Sequence, residues 1–405
     1  MVLPTMRVIG LGKTPRMSRA NSPMTSAPPN NAGEKFLLPA GLGDGLPPEA
    51  GFEAAMVERL VASFARWGYE RVKPPLIEFE DSLLAGPGEA MAAHTFRLMD
   101  PVSQRMMGLR ADMTPQVGRI AASRLQNMPR PLRLSYAGQV LRMKGEQMRP
   151  ERQLGQVGVE LIGAEGPAAD AEVVLLAVEA LTALGVPGLA VDLNVPRLAP
   201  SILQDLPPQR RADLIAALDR KDTAKVAELA GDQARLLQGL LRSVGPVETA
   251  LPVLESLALP SQGAEVRANL AATIALIRKS APDLTLTIDA TDHRGFEYHN
   301  GIAFTLLGRG VRGEFGRGGH YVNHAGEAAT GFSLYLDTLL NTLPMPAGPK
   351  RVFVPFGAEA AAALKLREEG WVTVQGLQVA DAKAEAKRLR CSHFLLDGRA
   401  VATGN

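Results

Sequence analysis

The chain has 405 residues, of which 46% are hydrophobic and 21% carry a charge. That length accommodates two or three domains with their own cores, and the composition is typical of a globular protein. No stretch approaches the roughly 18 consecutive apolar residues that cross a bilayer, which argues against a membrane role. The single cysteine, Cys391, excludes an internal disulfide and indicates a reducing, cytoplasmic location.

The net charge of +2 comes from the first residues. Residues 1–23 hold four basic side chains and no acidic one, so the rest of the chain carries −2 and offers no general attraction for nucleic acid. We interpret residues 1–34 as a disordered tail or a mis-called start, with Met24 as the true first residue. The basic, acid-free composition also resembles a transit peptide. The four basic residues are Arg7, Lys13, Arg16 and Arg19.

Residues 35–345 are predicted to form one α+β domain, because strands and helices occur in separate runs. Apolar residues from Phe52 to Trp67 share one face and predict an amphipathic helix that ends at Gly68. The predicted strands 132–143 and 153–163 alternate between apolar and polar residues and are interpreted as a pair. The predicted strands of this half are 72–80, 95–100, 104–114, 132–143 and 153–163, with a helix over 115–125.

The second half of this domain mixes helices and strands. Residues 170–280 are mostly helical, and the part from about 197 to 283 is interpreted as an inserted helical lobe. GFSLYLDTLL, residues 331–340, is predicted to be a core helix, because its apolar residues recur at three- and four-residue spacing. Its Asp337 and Thr338 are then either a solvated edge or the remains of a site for a charged group. Strands are predicted over 189–195, 284–291, 296–307 and 311–321.

A linker at 344–349 leads into a small C-terminal domain, residues 346–405. Its β-α-β-α-β pattern predicts a parallel sheet with helices, an α/β domain. The chain contains no G-x-G-x-x-G or Walker motif, so the usual nucleotide-binding loops are absent. Cys391 lies among basic residues that favour a reactive thiol, but it lacks a nucleophile's surroundings and is interpreted as inert.

Polar residues with complementary chemistry lie on the predicted strands. Arg110, Asp112 and Thr114 alternate and are expected to share one strand face, as are Gln156 and Glu160. Carboxylates bind an ammonium group and arginines bind a carboxylate or phosphate, so this set suits an amino-acid pocket. The alternative is an antiparallel sheet with one solvated face, where alternating polar residues are expected. The set also includes Arg142, which ends a strand, and Arg294, beside Gly295.

Four of the six histidines lie between residues 293 and 324. His320 and His324 have the four-residue spacing that suits zinc on a helix, but their segment is rich in glycine and has no helical pattern. No suitably spaced cysteine or carboxylate lies nearby, so no metal is expected. The basic residues Lys383, Lys387 and Arg388 are interpreted either as an RNA contact or as a solvated end of a helix.

From about Phe36 to Leu343 the order of motifs resembles the catalytic domain of class II histidyl-tRNA synthetases. LLPAGLGDGLPPEA opens as that domain does, and VKPPLIEFED with its preceding helix resembles the first class II motif, which builds the family's dimer interface. LRADMTPQVGR is similar to the loop that holds the amino group of histidine. YAGQVLRMKGEQMRPERQLGQVGVELIG resembles the second motif, and HRGFEYHNGIAF and GRGGHY resemble the two histidine-specific segments. The resemblance implies a class II antiparallel sheet with flanking helices.

The positions that hold ATP in that family differ here. Arg142 stands where an arginine contacts the α-phosphate, but Lys144 replaces an acidic residue near the adenine and Gly155 replaces a histidine. In the third motif Gly-Leu-Glu-Arg is expected at the end of the helix, and the chain has YLDT at residues 335–338. A threonine hydroxyl does not replace a fixed guanidinium beside a triphosphate. The resemblance therefore implies a degraded ATP site.

The positions that hold histidine are better preserved, although His299 stands where a tyrosine is usual. The C-terminal domain resembles a shortened anticodon-binding domain, which argues against tRNA recognition. The histidine-binding set implied by the resemblance is Asp112, Thr114, Arg142, Gln156, Glu160, Arg294, Tyr298, His299 and Tyr321.

This combination resembles the regulatory subunits of ATP phosphoribosyltransferase, a family of synthetase paralogues. The resemblance implies a non-catalytic, cofactor-free subunit that dimerises and assembles with a short catalytic subunit for the first step of histidine biosynthesis. It also implies feedback regulation by L-histidine. Two alternatives are a divergent histidyl-tRNA synthetase and a synthetase-like paralogue with another amino-acid or RNA partner.

Overall fold

The structure is a computed structural model that describes residues 36–145, 150–292 and 298–404. The elements named below all belong to the unit formed by residues 41–405. Among the described residues, none of the helices combines the length and hydropathy that crossing a membrane requires.

The helices and strands are numbered separately in chain order. The helices are α1 (Glu49–Arg66), α2 (Glu80–Leu83), α3 (Thr114–Ser123), α4 (Pro167–Leu184), α5 (Leu198–Ile202), α6 (Pro208–Asp219), α7 (Thr223–Ala230), α8 (Ala234–Arg242), α9 (Val247–Glu255), α10 (Ser261–Ser280), α11 (Leu336–Thr342), α12 (Ala360–Glu368) and α13 (Ala382–Arg388). The strands are β1 (Glu70–Arg71), β2 (Ile77–Phe79), β3 (Arg97–Met99), β4 (Met106–Leu109), β5 (Leu132–Leu141), β6 (Gln153–Ile162), β7 (Leu189–Asn194), β8 (Gly245–Pro246), β9 (Thr285–Asp289), β10 (His299–Gly308), β11 (Gly316–Val322), β12 (Ala328–Tyr335), β13 (Arg351–Val354), β14 (Val372–Gln375), β15 (His393–Leu396) and β16 (Arg399–Ala402).

The larger domain is built on a nine-stranded sheet in the order β1-β5-β6-β12-β11-β10-β7-β9-β8. Its neighbours pair antiparallel except for β1 with β5 and β7 with β9. The helices α5 to α10 all lie between β7 and β9 in the chain. The α+β class, with an antiparallel sheet and flanking helices, is confirmed.

The two faces of β6 have different surroundings, which positions the site. Val157, Val159 and Leu161 are buried in the main core together with residues of α1 and α4. The residues between them point to the other face, where α3 packs against the sheet. The alternation predicted for this strand therefore separates an apolar side, covered by α1 and α4, from a polar side, on which α3 packs.

The prediction of a helix over 331–340 is wrong in its first half. Residues up to Tyr335 belong to β12, which pairs with β6 on one side and β11 on the other, and α11 begins at Leu336. Phe332 packs edge-on against Phe64 of α1, with ring centroids 5.6 Å apart. A short apolar run suits a central strand and a buried helix equally, so its periodicity does not discriminate between them. The YLDT segment consequently lies at a strand-helix junction and not at the end of a helix.

The prediction of a strand over 104–114 is also wrong in its second half. Strand β4 ends at Leu109, and Thr114 is the first residue of α3, so Arg110, Asp112 and Thr114 do not share a strand face. Pro115 lies in the first turn of α3, where proline fits without losing a helical hydrogen bond. The Arg110 side chain donates instead to the carbonyls of Gln139, at 2.7 Å, and Pro74, at 3.1 Å.

The C-terminal sheet has the order β14-β13-β15-β16. The predicted parallel pairing of β13 with β14 and β15 is confirmed, but β16 pairs antiparallel with β15 and was not predicted. The sequence did contain a signal for this hairpin, the dipeptide Asp397-Gly398, which is favoured in two-residue turns. Both residues have positive φ, 47° and 72°, as such a turn requires. Cys391 is buried, with its Sγ 3.8 Å from the carbonyl oxygen of Leu389.

A Gly158→Ala substitution tests the packing of the polar side of the sheet. A Cβ at residue 158 would overlap the Phe332 carbonyl oxygen and the Tyr136 hydroxyl, so we expect the free energy of unfolding to fall by about 1–3 kcal/mol. Urea denaturation followed by circular dichroism measures the change. The matched control is Gly51→Ala in α1, where a Cβ meets no atom within 4 Å and alanine should stabilise the helix slightly. Equal stability of Gly158→Ala and the unchanged protein would contradict this packing.

Candidate functional site

Glu160 is the central side chain of the site, on the polar side of β6. It is 1% exposed. Tyr321 donates its hydroxyl to one carboxyl oxygen at 2.8 Å, and Tyr136 donates to the other at 3.2 Å. Burial raises the pKa of Glu160 to about 8, although these hydroxyl groups pull the pKa down. The carboxyl group is therefore mostly protonated at neutral pH and ionises readily beside a positive charge.

Two glycines provide the space that this carboxyl group occupies. Gly331 of β12 lies opposite Glu160, and a Cβ there would come within 2.6 Å of the Glu160 carboxyl carbon. Gly158 lies opposite Tyr136 of β5, and a Cβ there would come within 2.6 Å of the tyrosine Cζ. Side chains can thus lie across the sheet at these two positions, and the polar groups of three strands meet there.

A second group of polar residues joins the start of α3 to the same face. Gln156 donates to Asp112 at 2.8 Å and to the Ser333 hydroxyl at 2.7 Å, and accepts from the Met113 backbone at 2.9 Å. Asp112 also accepts from the backbone of Thr114 at 3.0 Å. The Tyr136 hydroxyl lies 3.2 Å from Thr114 Oγ1 and 2.9 Å from Ser333 Oγ, so it links this group to Glu160. Two carboxyl groups therefore face one small region.

Aromatic rings close the other side of the site. His299 is 4% exposed and stacks on Tyr298 with ring centroids 4.2 Å apart, and Tyr298 meets Tyr321 edge-on at 5.8 Å. Burial, with smaller contributions from nearby His320 and Arg317, lowers the pKa of His299 to about 3. The His299 ring is therefore neutral throughout the physiological range.

These groups surround a cavity of about 10 Å³. That is the space needed by about one water molecule, so an amino acid does not fit beside the side chains as they stand. Arg317 brings a guanidinium group to the cavity and donates to Glu314 at 2.7 Å. The lining includes Thr114, Glu160, His299, Arg317, Tyr321 and Ser333.

The structure brings together most of the residues predicted to bind histidine. Arg142 does not line the cavity: it follows the end of β5, and its backbone N–H donates to the carbonyl of Arg152 at 2.7 Å. Arg294, with its neighbours His293, Gly295 and Glu297, lies outside the described residues. The predicted residues that meet here are Asp112, Thr114, Gln156, Glu160, Tyr298, His299 and Tyr321.

Sequence reasoning missed three side chains of the site: Tyr136, Ser333 and Arg317. Tyr136 belongs to an alternating strand, but its position over β6 depends on the register that pairs it with Gly158. Ser333 and Arg317 lie directly opposite each other in β12 and β11. Ser333 was hidden because its segment was interpreted as a helix. Among the described residues, no group of three His, Cys, Asp or Glu side chains has the geometry of a metal site.

The chain departs from the family's ATP-binding pattern at Gly155, on the apolar side of β6, and at Tyr335, which lies opposite Gln156 on the polar side. Gly155 lies beside Leu336, the first residue of α11, and a Cβ at residue 155 would come within 2.6 Å of the leucine Cδ1. Glu53 of α1 also reaches this spot, where it accepts from Gln139 at 3.0 Å. A histidine at residue 155 does not fit this packing. Thr338, at the position of the expected arginine, is 7% exposed.

Comparison with known proteins gives two consistent results. The family model described as histidyl-tRNA synthetase matches residues 41–339. The ATP phosphoribosyltransferase regulatory subunit of Paramagnetospirillum magneticum is 54% identical over 364 residues, covering 89% of this chain and 96% of that protein. The protein of the same name from Rhodospirillum centenum is 53% identical over 367 residues, covering 90% and 95%.

Solved structures agree on the fold. A structure from Bacillus halodurans described as an ATP phosphoribosyltransferase regulatory subunit/histidyl-tRNA synthetase has a TM-score of 0.75 at 24% identity, covering 87% of this chain and 96% of that one. Histidyl-tRNA synthetase from Nostoc has a TM-score of 0.75 at 18% identity, covering 89% and 91%. A chain of the ATP phosphoribosyltransferase HisG:HisZ complex from Thermotoga maritima has a TM-score of 0.57 at 18% identity, covering 70% and 97%.

The structural neighbours share the class II synthetase fold, and the relatives that are more than half identical share one name over nearly their full length. The chain therefore belongs to the family of ATP phosphoribosyltransferase regulatory subunits.

Proposed function

We propose that this protein binds a short-form catalytic subunit of ATP phosphoribosyltransferase and is required with it for the first step of histidine biosynthesis. The observation that carries the proposal is the position of Tyr335, which replaces a glycine of the family's ATP motif and lies opposite Gln156, while the polar cluster around Glu160 is intact. A synthetase fold whose ATP motif is replaced suits a regulatory subunit. We further propose a cytoplasmic location. We also propose that tRNA is not a substrate, because the C-terminal domain has only four short strands and two helices within 351–402.

The cavity around Glu160 is the proposed binding site for L-histidine as feedback effector. Glu160 and Asp112 supply carboxyl groups for the α-ammonium group, and Arg317 supplies a guanidinium group nearby. Arg294 and Arg142 stay in the predicted set, although one lies outside the described residues and the other outside the cavity lining. Histidine shifts the activity of a partner only if it binds the two states of the complex with different affinity.

The proposed dimer uses the surface of β2, in the segment that resembles the first class II motif. Ile77 and Phe79 face a groove of about 520 Å³ between the small sheet and α3. Ile77 is 36% exposed, and neighbouring Leu76 is 43% exposed. Such an uncovered apolar surface is typical of a protein interface. The apolar lining of the groove is Pro74, Pro75, Ile77, Phe79, Met107 and Ile120, and its polar lining is Lys73, Glu78, Ser82, Arg119 and Arg124.

The function is tested by mixing the purified protein with a short-form catalytic subunit. We expect the phosphoribosyltransferase activity to rise well above that of the catalytic subunit alone and to fall when L-histidine is added. Unchanged activity in the mixture would overturn the proposal. The protein alone should show no histidine-dependent pyrophosphate exchange, and measurable exchange would instead identify a divergent histidyl-tRNA synthetase.

The pKa of Glu160 gives the histidine site a pH dependence. An ammonium group favours the ionised carboxylate, so below pH 8 binding must release a proton. Histidine affinity should therefore rise between pH 7 and 8, a range in which the imidazole of free histidine, with a pKa of about 6.5, is already mostly neutral. Calorimetry in buffers of different ionisation enthalpy measures this proton release. Glu160→Gln should remove it and weaken binding by roughly 10- to 100-fold, as expected for a lost charge-assisted hydrogen bond. Glu165→Gln is the matched control and should bind as the unchanged protein does; proton release that persists in Glu160→Gln would place the ammonium elsewhere.

The dimer is tested with Ile77→Glu. A carboxylate in the groove should prevent burial of the apolar surface, because burying an unpaired charge is unfavourable. We expect the mass measured by light scattering to change from that of a dimer to that of a monomer of 43.1 kDa. Leu364→Glu, at a leucine of α12 that is 54% exposed, is the control and should leave the mass unchanged. A dimeric Ile77→Glu variant would exclude this surface.

A further inference from the structure

The side chain of His299 lies within the proposed amino-acid site. In register His299 is opposite Tyr321, so both side chains point to the face of the sheet that carries Glu160. The His299 ring lies against β11, because a Cβ at Gly319 would come within 2.6 Å of its Cδ2. Parallel stacking on Tyr298 holds the ring from the other side. The ring is thus enclosed between a strand and an aromatic side chain.

The space beside this ring is too small for a ligand. About 10 Å³ is left among Glu160, Thr114 and Tyr321, which is enough for one water molecule. The enclosed group is itself an imidazole, the same chemical group that L-histidine carries. Surroundings that accept a neutral imidazole from the chain therefore suit the imidazole of a free amino acid as well.

We propose that His299 is an internal plug, whose imidazole fills the ring position of the amino-acid site in the ligand-free protein and must move out when the effector binds. The inference rests on the proposed histidine site and adds how that site is regulated. Because only the fraction of molecules with the ring displaced can bind, the plug lowers the apparent affinity by that fraction. The site is thereby tuned to respond at a higher effector concentration.

The plug predicts how affinity depends on the size of residue 299. In the full-length protein, His299→Ala should bind L-histidine at least about tenfold more tightly, because a displaced ring populated at 10% or less costs at least that factor. His299→Trp should bind more weakly than the unchanged protein. Calorimetry measures the affinities, and thermal melting shows that each variant folds. The control is His320→Ala. His320 precedes Tyr321 in β11, and its ring nitrogen Nδ1 lies 3.0 Å from the Thr330 hydroxyl.

Free imidazole separates the plug from the effector site. His299→Ala should bind imidazole, seen as a rise in melting temperature, whereas the unchanged protein and His320→Ala should not. Imidazole binding by His299→Ala without L-histidine binding would show only that the removed ring leaves a cavity, and would overturn the plug because the effector site then lies elsewhere. Equal or weaker histidine affinity in His299→Ala than in the unchanged protein would overturn the plug while leaving the proposed function intact. If His299→Ala binds neither imidazole nor L-histidine, the plug and the histidine site are overturned together.

Discussion

The burial of a carboxyl group in the middle of an antiparallel sheet is the constraint on which the site depends. Glu160 is enclosed by hydroxyl groups from two other strands, since a buried carboxyl group without hydrogen-bond partners is unfavourable. Those hydroxyls reach it only because Gly158 and Gly331 leave the surface of the sheet open beside it. The register of four strands, two glycines and one carboxyl group together determine this arrangement.

The two faces of the sheet separate the positions at which this chain departs from the family's ATP-binding pattern. Tyr335 of β12 lies opposite Gln156, on the polar side of β6 that also carries Glu160. Gly155 points to the other, apolar side, where Leu336 from the start of α11 packs in the main core. At Glu160 the neighbouring glycines keep the space for polar groups.

Much of the fold was readable from local patterns. The amphipathic helix α1, the alternating strand β6 and the helical insertion follow from the spacing of apolar residues. Predictions failed where a short apolar run changes from strand to helix, at Tyr335 and before Thr114, because such runs satisfy both periodicities. The Asp397-Gly398 turn shows a different kind of failure, in which a clear local signal was present but was not used.

By itself, the sequence determined the class of fold, the polar residues of β6, and the changes at positions 144, 155 and 335–338 that separate this chain from aminoacylating enzymes. Only the tertiary structure decided which polar residues meet. Tyr136, Ser333 and Arg317 join the site through strand register, whereas Arg142, though predicted, lies outside the cavity lining. The physical reason is that hydrophobic periodicity is a local property of the chain, whereas a cavity forms where residues far apart in sequence are paired across a sheet.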